Sequence, residues 1–151
     1  YALTEESKNA LKVKKETPIL VIMGNPPYSF SHSEQSDFVK TTMKDYLTGL
    51  GVEKERKKGV MQDDYIRFIR FAHWKIEQAG RGIIGMITNN SYLDGIIHRA
   101  MRKKILDDFD EIYVLNLHGN SRLKEKTPSG GKDENVFDIQ QGVGIILMVK
   151  M

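Results

Sequence analysis

Apolar positions fall in four short runs, separated by amphipathic and polar stretches. The first, Ile19-Leu20-Val21-Ile22-Met23, is continuous and rich in β-branched residues. Such a run, without alternation, predicts a strand buried on both faces. Gly82 to Thr88 predicts a second buried strand, Glu111 to Leu117 a third and Val143 to Val149 a fourth. Between the first two runs, Tyr65, Ile66, Ile69, Ala72, His73 and Ile76 recur at helical spacing, with Phe68, Phe71 and Trp74 widening the stripe. This predicts a helix over 63–78, with Asp63 and Asp64 at its N-terminus and Gly80 as its stop. A further helix is predicted over 93–108, with Ile96, Ile97, Ala100, Met101 and Leu106 inward. Residues 3–16 read as a short polar helix, capped by Thr4 and ended by Pro18. Residues 29–61 lack a clear period and predict a long excursion with one helix around 35–48. Residues 118–142 are mostly polar and predict a loop. Alternation of strands and helices predicts a parallel sheet with helices on its faces. The last connection lacks a helix, which leaves the fourth strand free to enter antiparallel.

Composition narrows the classes. The chain has 151 residues, enough for one core. At 40% hydrophobic and 28% charged it is a folding sequence rather than a disordered tail. No apolar run approaches the roughly 18–20 residues of a membrane span. There are no cysteines, so disulfides, thiolate metal sites and a cysteine nucleophile are excluded. That fits a cytoplasmic protein. The net charge of +3 leans mildly toward polyanionic partners. The chain starts at Tyr1 with no signal-like stretch, and is expected to be a piece of a longer polypeptide. We divide it into an N-terminal helical segment, 1–17, and a main unit, 18–151.

The chemistry concentrates in Asn25-Pro26-Pro27-Tyr28, directly after the first strand. Open α/β sheets bind ligands just beyond the carboxyl ends of their strands. Tandem prolines keep the backbone extended and stiff. The Asn25 side chain and the Pro26 carbonyl then stand as two fixed acceptors, which suit a planar NH₂ group, and Tyr28 adds a π face. The set reads as a holder for an exocyclic amine on a flat ring. Such an amine is a poor nucleophile, because its lone pair is delocalised. Accepting both N–H bonds favours a more tetrahedral nitrogen, and positioning and electrostatics carry the rest. Asn-Pro-Pro is also a good turn sequence, and the buried strand before it and the ring after it favour the functional reading.

ILVIMGNPPYS (19–29), DDYIRFIRFAHWKIEQAGRGIIGMITNNSYLDG (63–95) and NVFDIQQGVGIILMVK (135–150) together resemble the N6-adenine DNA methyltransferases of the Asn-Pro-Pro-Tyr class. The resemblance is to the methylase part of large bacterial restriction–modification polypeptides. It implies a partial doubly wound, Rossmann-like α/β sheet, mostly parallel, with an antiparallel final strand between the second and third. It implies methyl transfer from S-adenosyl-L-methionine to the N6 amine of an adenine flipped out of double-stranded DNA. Asn25 and Pro26 would accept from the amine, Pro27 would stiffen the turn, and Tyr28 would stack on the base. Phe137 would be the second aromatic, on the other side of the ring. The family's glycine-rich cofactor loop has no counterpart here, since GRGIIG, PSGG and GVG are not followed by helices. The cofactor-binding residues are therefore unassigned and the piece alone is expected to be inactive. Adjoining helicase, nuclease or target-recognition domains are implied partners. An uncovered edge at 19–23 is expected to be closed by segment 1–17 or by a second copy of the chain.

Two other readings stay open. Protein-glutamine and RNA N-methyltransferases use the same tetrapeptide, and a methylase-like scaffold without catalysis would keep the fold. His32, His73, His98 and His118 show no metal spacing, and no metal site is expected. Asp107, Asp108, Asp110 and Glu111 read as a solvated helix end, and Glu55-Arg56-Lys57 as an exposed charge run. Asn89 and Asn90 either shape the site or cap a turn. Arg122, Lys124, Lys126 and Lys132, with Lys54 and Arg56 to Lys58, are candidates for phosphate contact.

Overall fold

A computed structural model describes residues 4–28, 36–56 and 58–151. Ser29 to Gln35 and Lys57, within the predicted excursion, lie outside the described residues. Helix α1, Glu5–Glu16, begins at Thr4, whose hydroxyl accepts from the Ser7 amide. Strand β1 spans Val21–Gly24. Helix α2, Asp37–Leu47, starts at Ser36 and falls inside the excursion, as its weak period predicts. Helix α3, Asp64–Ala79, stops at Gly80, which adopts φ +74. Strand β2 is Gly82–Asn89, helix α4 Arg99–Asp108, strand β3 Glu111–His118 and strand β4 Val143–Lys150. Of the residues predicted to open the second helix, 96–98 instead form a short 3-10 turn.

The strands form a sheet of order β1-β2-β4-β3. β1 and β2 are parallel, and β4 lies antiparallel between β2 and β3. The expected final strand is thus where the resemblance places it. β1, β2 and β3 share one direction, so the carboxyl ends of all three, and the start of β4, meet at one edge of the sheet.

Helices α2, α3 and α4 supply the core with Tyr46, Tyr65, Ile66, Ile69, Ile76, Met101 and Ile105, packed on Ile84, Met86, Ile146 and Met148. Gly82 ties α3 to the sheet. A side chain there would stand 2.6 Å from both Leu20 O and Ile76 Cδ1, at φ +147, so only glycine fits.

The expected burial of β1 on both faces is not observed. Val21 is 59% exposed and Met23 80%. They share a face with Ile83, Leu147, Tyr113 and Leu115, all exposed, because the helices α2–α4 cover the opposite face. Nor does segment 1–17 bury this strand: the described side chains of α1 are exposed. Ile96, in the turn before α4, and Leu106 on α4 point outward, and Ile105 takes the inward place. Phe68 and Phe71 are likewise exposed; Phe71 and Trp74 instead meet Phe38 of α2 at ring-centroid distances of 6.4 and 4.8 Å.

A buried polar network joins α2, α3 and α4. Arg70, 2% exposed, donates to Thr42 O (2.9 Å), Glu77 Oε2 (2.8 Å) and Asp45 Oδ2 (2.5 Å). His73 stands between Tyr46 OH (3.0 Å) and Asp108 Oδ2 (2.8 Å). Lys104 bridges Glu77 and Asp108. Burial holds His73 down to about 4, so it is neutral near pH 7. Its Nε2–H then donates to Asp108 and its Nδ1 accepts from Tyr46. Burial alone would raise Glu77, but hydrogen bonds from Lys104 and Arg70 outweigh it and hold that carboxyl down to about 2. Asp108, its side chain 21% exposed, is therefore tied into this network rather than left at a solvated helix end.

Candidate functional site

The edge where β1, β2 and β3 end carries the polar residues singled out by sequence. Immediately beyond β1, Pro26 is buried, Asn25 and Pro27 are exposed and Tyr28 is half-buried against the core. The buried proline fixes the turn, so the Asn25 side chain is presented outward. Tyr28 OH donates to Asn25 Oδ1 at 2.8 Å. That bond orients the amide and leaves the second lone pair of Oδ1 for another donor. No described backbone amide outside the helices and strands bonds the Pro26 carbonyl. Partial burial raises the Tyr28 phenol, which stays protonated and able to donate.

At the end of β2, Asn89 is buried and its Oδ1 accepts from the Ser91 amide (2.8 Å) and hydroxyl (2.6 Å). Asn90 donates to Asn116 Oδ1 of β3 at 2.9 Å, across the start of β4. Asn89 thus caps the turn while Asn90 braces the strand ends. Gly142 leaves room for this brace: a side chain there would lie 2.6 Å from the Asn90 amide.

Phe137 sits in the loop between β3 and β4, 39% exposed, and helps line a cavity of about 590 Å³ with Gly119, Ser121, Asn135 and Gln140. Its position is set by Asn135. That side chain donates to Gly119 O (3.0 Å) and Gln141 O (2.6 Å), and accepts from the Phe137 amide (2.8 Å). Gly119, at φ +75, lets the backbones touch, since a Cβ would stand 2.5 Å from Asn135 Cα. The sequence reading missed this pin. Its signal is the Asn two residues before Phe137, the spacing of an Asx turn. Residues 25–28 do not line the Phe137 cavity. The two parts of the predicted base site share a sheet edge but not one enclosed space.

Arg122, Lys124, Lys126 and Lys132 are exposed on this loop, and Lys126 and Lys132 face each other across a small hairpin. Lys54 and Arg56 are exposed as well, whereas Glu55 pairs with Arg99 at 2.7 Å. Among the described residues, two groups bring one imidazole and two carboxylates together: His73, Glu77 and Asp108, and His118, Glu125 and Asp133. Lys104 and Arg70 already neutralise the first. The second is at the loop base, with its ligand atoms within 4.8 Å of one another. A cofactor bearing a nucleoside and a charged tail needs a glycine-rich turn opening a helix. No described strand leads into one, so the described residues do not fit S-adenosylmethionine and no contact to it is assigned. No helix among them is long and apolar enough to cross a membrane.

Solved structures similar to this chain include three restriction-enzyme complexes or their relatives with DNA or a DNA mimic. An ATP-dependent Type ISP restriction-modification enzyme, LlaBIII, bound to DNA shares 34% identity over 97% of this chain, with a TM-score of 0.79. A DrdV–DNA complex shares 27% over 97%, with a TM-score of 0.78. A nuclease-deletion mutant of the Type ISP enzyme LlaGI, in complex with a DNA substrate mimic, shares 26% over 98%, with a TM-score of 0.73. The matched region is 10%, 15% and 15% of those chains, respectively. No curated protein matches the chain. A family model for the Eco57I restriction-modification methylase matches residues 2–122. With its sheet order, its strand-end tetrapeptide and this match over most of its length, the chain belongs to the Eco57I restriction-modification methylase family.

Proposed function

We propose that this chain is the amine-holding part of an adenine-N6 DNA methyltransferase within a restriction–modification enzyme. The observation that carries it is the Asn25–Tyr28 turn: an outward Asn25, oriented by Tyr28 and fixed by a buried Pro26, at the carboxyl end of β1. Family membership, the DNA in two of the similar structures and the DNA substrate mimic in the third support it.

In the proposed chemistry the methyl group would come from S-adenosylmethionine held by other residues: the N6–methyl bond would form as the methyl–sulfur bond breaks, leaving a neutral thioether, and one amine proton would pass to water. The residues of this chain act on the acceptor. Asn25 Oδ1 and the Pro26 carbonyl take the two N–H bonds of the adenine amine. The nitrogen becomes more tetrahedral and its lone pair is freed for attack. These bonds tighten as positive charge develops on nitrogen, so they act mainly on the transition state. Tyr28 stacks on the extruded base, and Phe137 approaches its other face from the β3–β4 loop. Stacking of this kind contributes about 1–3 kcal/mol per base, offsetting part of the unstacking cost. Lys126 and Lys132 suit backbone phosphates of the DNA.

The partners of this reading are double-stranded DNA and the adjoining domains of a longer polypeptide. We assign the cofactor to residues other than those described here, so the isolated chain should not methylate DNA. The test is methyl transfer by the intact protein to DNA, RNA and glutamine-bearing peptide, offered side by side. Label in DNA as N6-methyladenine is expected. Label in RNA or peptide alone would overturn it.

A further inference from the structure

The turn that opens the β3–β4 loop presents a leucine to solvent. Ser121 to Lys124 form this turn, and Leu123 near its tip is 70% exposed. Single exposed leucines are common on protein surfaces. This one differs in how firmly it is held. Asn120 Oδ1 accepts from the Arg122 amide (3.1 Å) and the Leu123 amide (3.2 Å), and the Lys124 amide donates to Ser121 O (3.2 Å). The Asn120 amide in turn donates to Glu125 Oε2 (2.7 Å). Lys124 adopts φ +53, so the chain reverses directly after Leu123. Gln140 fastens the turn to the other arm of the loop: its backbone carbonyl accepts from the Ser121 amide (3.2 Å) and its side-chain oxygen from Arg122 Nε (3.2 Å). That other arm carries Phe137.

The place of the turn gives the leucine a use. Leu123 lines a cavity of about 330 Å³ with Asn90 and Asn116, at the ends of β2 and β3. That puts it on the same sheet edge as the Asn25 turn, about 5–15 Å away with neighbouring strands about 4.8 Å apart. Two exposed cations, Arg122 and Lys124, flank it in sequence. Val136, the other exposed aliphatic side chain of the loop, is shorter and lies between Asn135 and Phe137, with no such flanks. Cation, leucine and cation on a stiff turn suit entry into a duplex: the cations take backbone phosphates, and an apolar wedge parts the base step between them. Extrusion of an adenine leaves its former partner and its stacked neighbours facing a gap. In the proposed chemistry Asn25, Tyr28 and Phe137 all attend to the extruded base, and none of them fills that gap. A side chain on a pre-fixed turn fills it with little backbone freedom left to lose.

We propose that Leu123 is a wedge that enters the DNA duplex and fills the space left by the extruded adenine, with Arg122 and Lys124 on the phosphates beside it. The proposal rests on the DNA-methylase reading. Leu123 does not meet the reacting amine; it acts by keeping the target base from restacking.

The test first maps one adenine that the intact wild-type protein methylates in a DNA fragment. Duplexes are then made with that adenine opposite thymine, or opposite an abasic sugar, where the pair is already broken and extrusion costs less. Single-turnover methyl transfer by the intact protein is measured at saturating S-adenosylmethionine. Leu123→Ala should slow the paired duplex by about tenfold or more and the abasic duplex by less than about threefold. Leu123→Met, which keeps length and apolar character, should stay within about threefold of wild type on both. A leucine that merely holds the loop together would, on removal, slow both duplexes alike. Equal slowing of the two by Leu123→Ala, or slowing of neither, overturns the proposal while leaving adenine methylation standing. Absence of methyladenine from the wild-type reaction overturns both.

Discussion

Replacing Arg70 with methionine removes a guanidinium from the seam between α2 and α3 while keeping most of the side-chain volume. Three bonds go: to Thr42 O, to Glu77 and to Asp45. Breaking a fully buried pair by deleting one partner costs about 3–5 kcal/mol. Two features lower that here. The Asp45 side chain is 47% exposed and regains water, and Glu77 keeps Lys104 at 2.7 Å. The Thr42 carbonyl loses a charged donor, about 1 kcal/mol. The expected loss is about 2–3 kcal/mol. With a urea m-value of about 1.5 kcal/mol/M, the unfolding midpoint falls by about 1–2 M. Adding Glu77→Gln to the variant tests the cause. Once Arg70 is gone, neutralising Glu77 should cost at least 1 kcal/mol less than it does in the wild type. A midpoint shift below about 0.5 M, or additive effects in the cycle, would refute the view that this network holds the helical layer together.

The Gly119→Ala variant should loosen the Phe137 loop, because its Cβ would meet the Asn135 backbone at 2.5 Å. Faster proteolysis within 120–140, with little change in urea midpoint, is expected. Tyr28→Phe deletes one neutral hydrogen bond to Asn25, about 1 kcal/mol, so methyl transfer should fall about fivefold; Tyr28→Ala should fall at least tenfold further. Acid should destabilise the fold through His73 and His98, both held near 4 against an ordinary value of 6.5. Between pH 4 and 6.5 the unfolded chain binds more protons than the folded one, so stability drops as pH falls through that window, by at most about 1.4 kcal/mol per unit for each histidine. Depressed Glu77 extends the loss below pH 4.5. Urea midpoints at pH 7, 5.5 and 4.5 read this directly, and a flat profile would contradict it.

The strands and helices were legible because their signals are local. The stops at Pro18 and Gly80 and the cap at Thr4 need only neighbouring residues. The place of β4 was not local: without a preceding helix, Val143–Lys150 has no pattern that says between which strands it lies, and the family resemblance supplied it. Burial failed for a related reason. Ile19–Met23 reads as doubly buried, but burial depends on what covers the far face, and α2, α3 and α4 all pack on one side. Asp108 looked like part of a solvated acidic cluster, since its partners His73 and Lys104 become visible only once α3 and α4 are packed together. In the site, Asn25 and Tyr28 stood out through their tetrapeptide. The Asn135 pin under Phe137 depends on contacts across the fold, which no spacing reveals.

The central claim is that Asn25 holds the amine of an adenine in DNA for methyl transfer. Asn25 is exposed and accepts one hydrogen bond, from Tyr28, so its replacement by alanine should leave the fold intact. Loss of a preorganised transition-state partner of this kind lowers turnover by about 100–1,000-fold. The deciding measurement is single-turnover methyl transfer from labelled S-adenosylmethionine to duplex DNA by the intact protein, wild type against Asn25→Ala, with DNA affinity measured in parallel. The account predicts N6-methyladenine from the wild type, at least a 100-fold slower rate from Asn25→Ala, and DNA binding within about tenfold. Near-normal methylation by Asn25→Ala would contradict it.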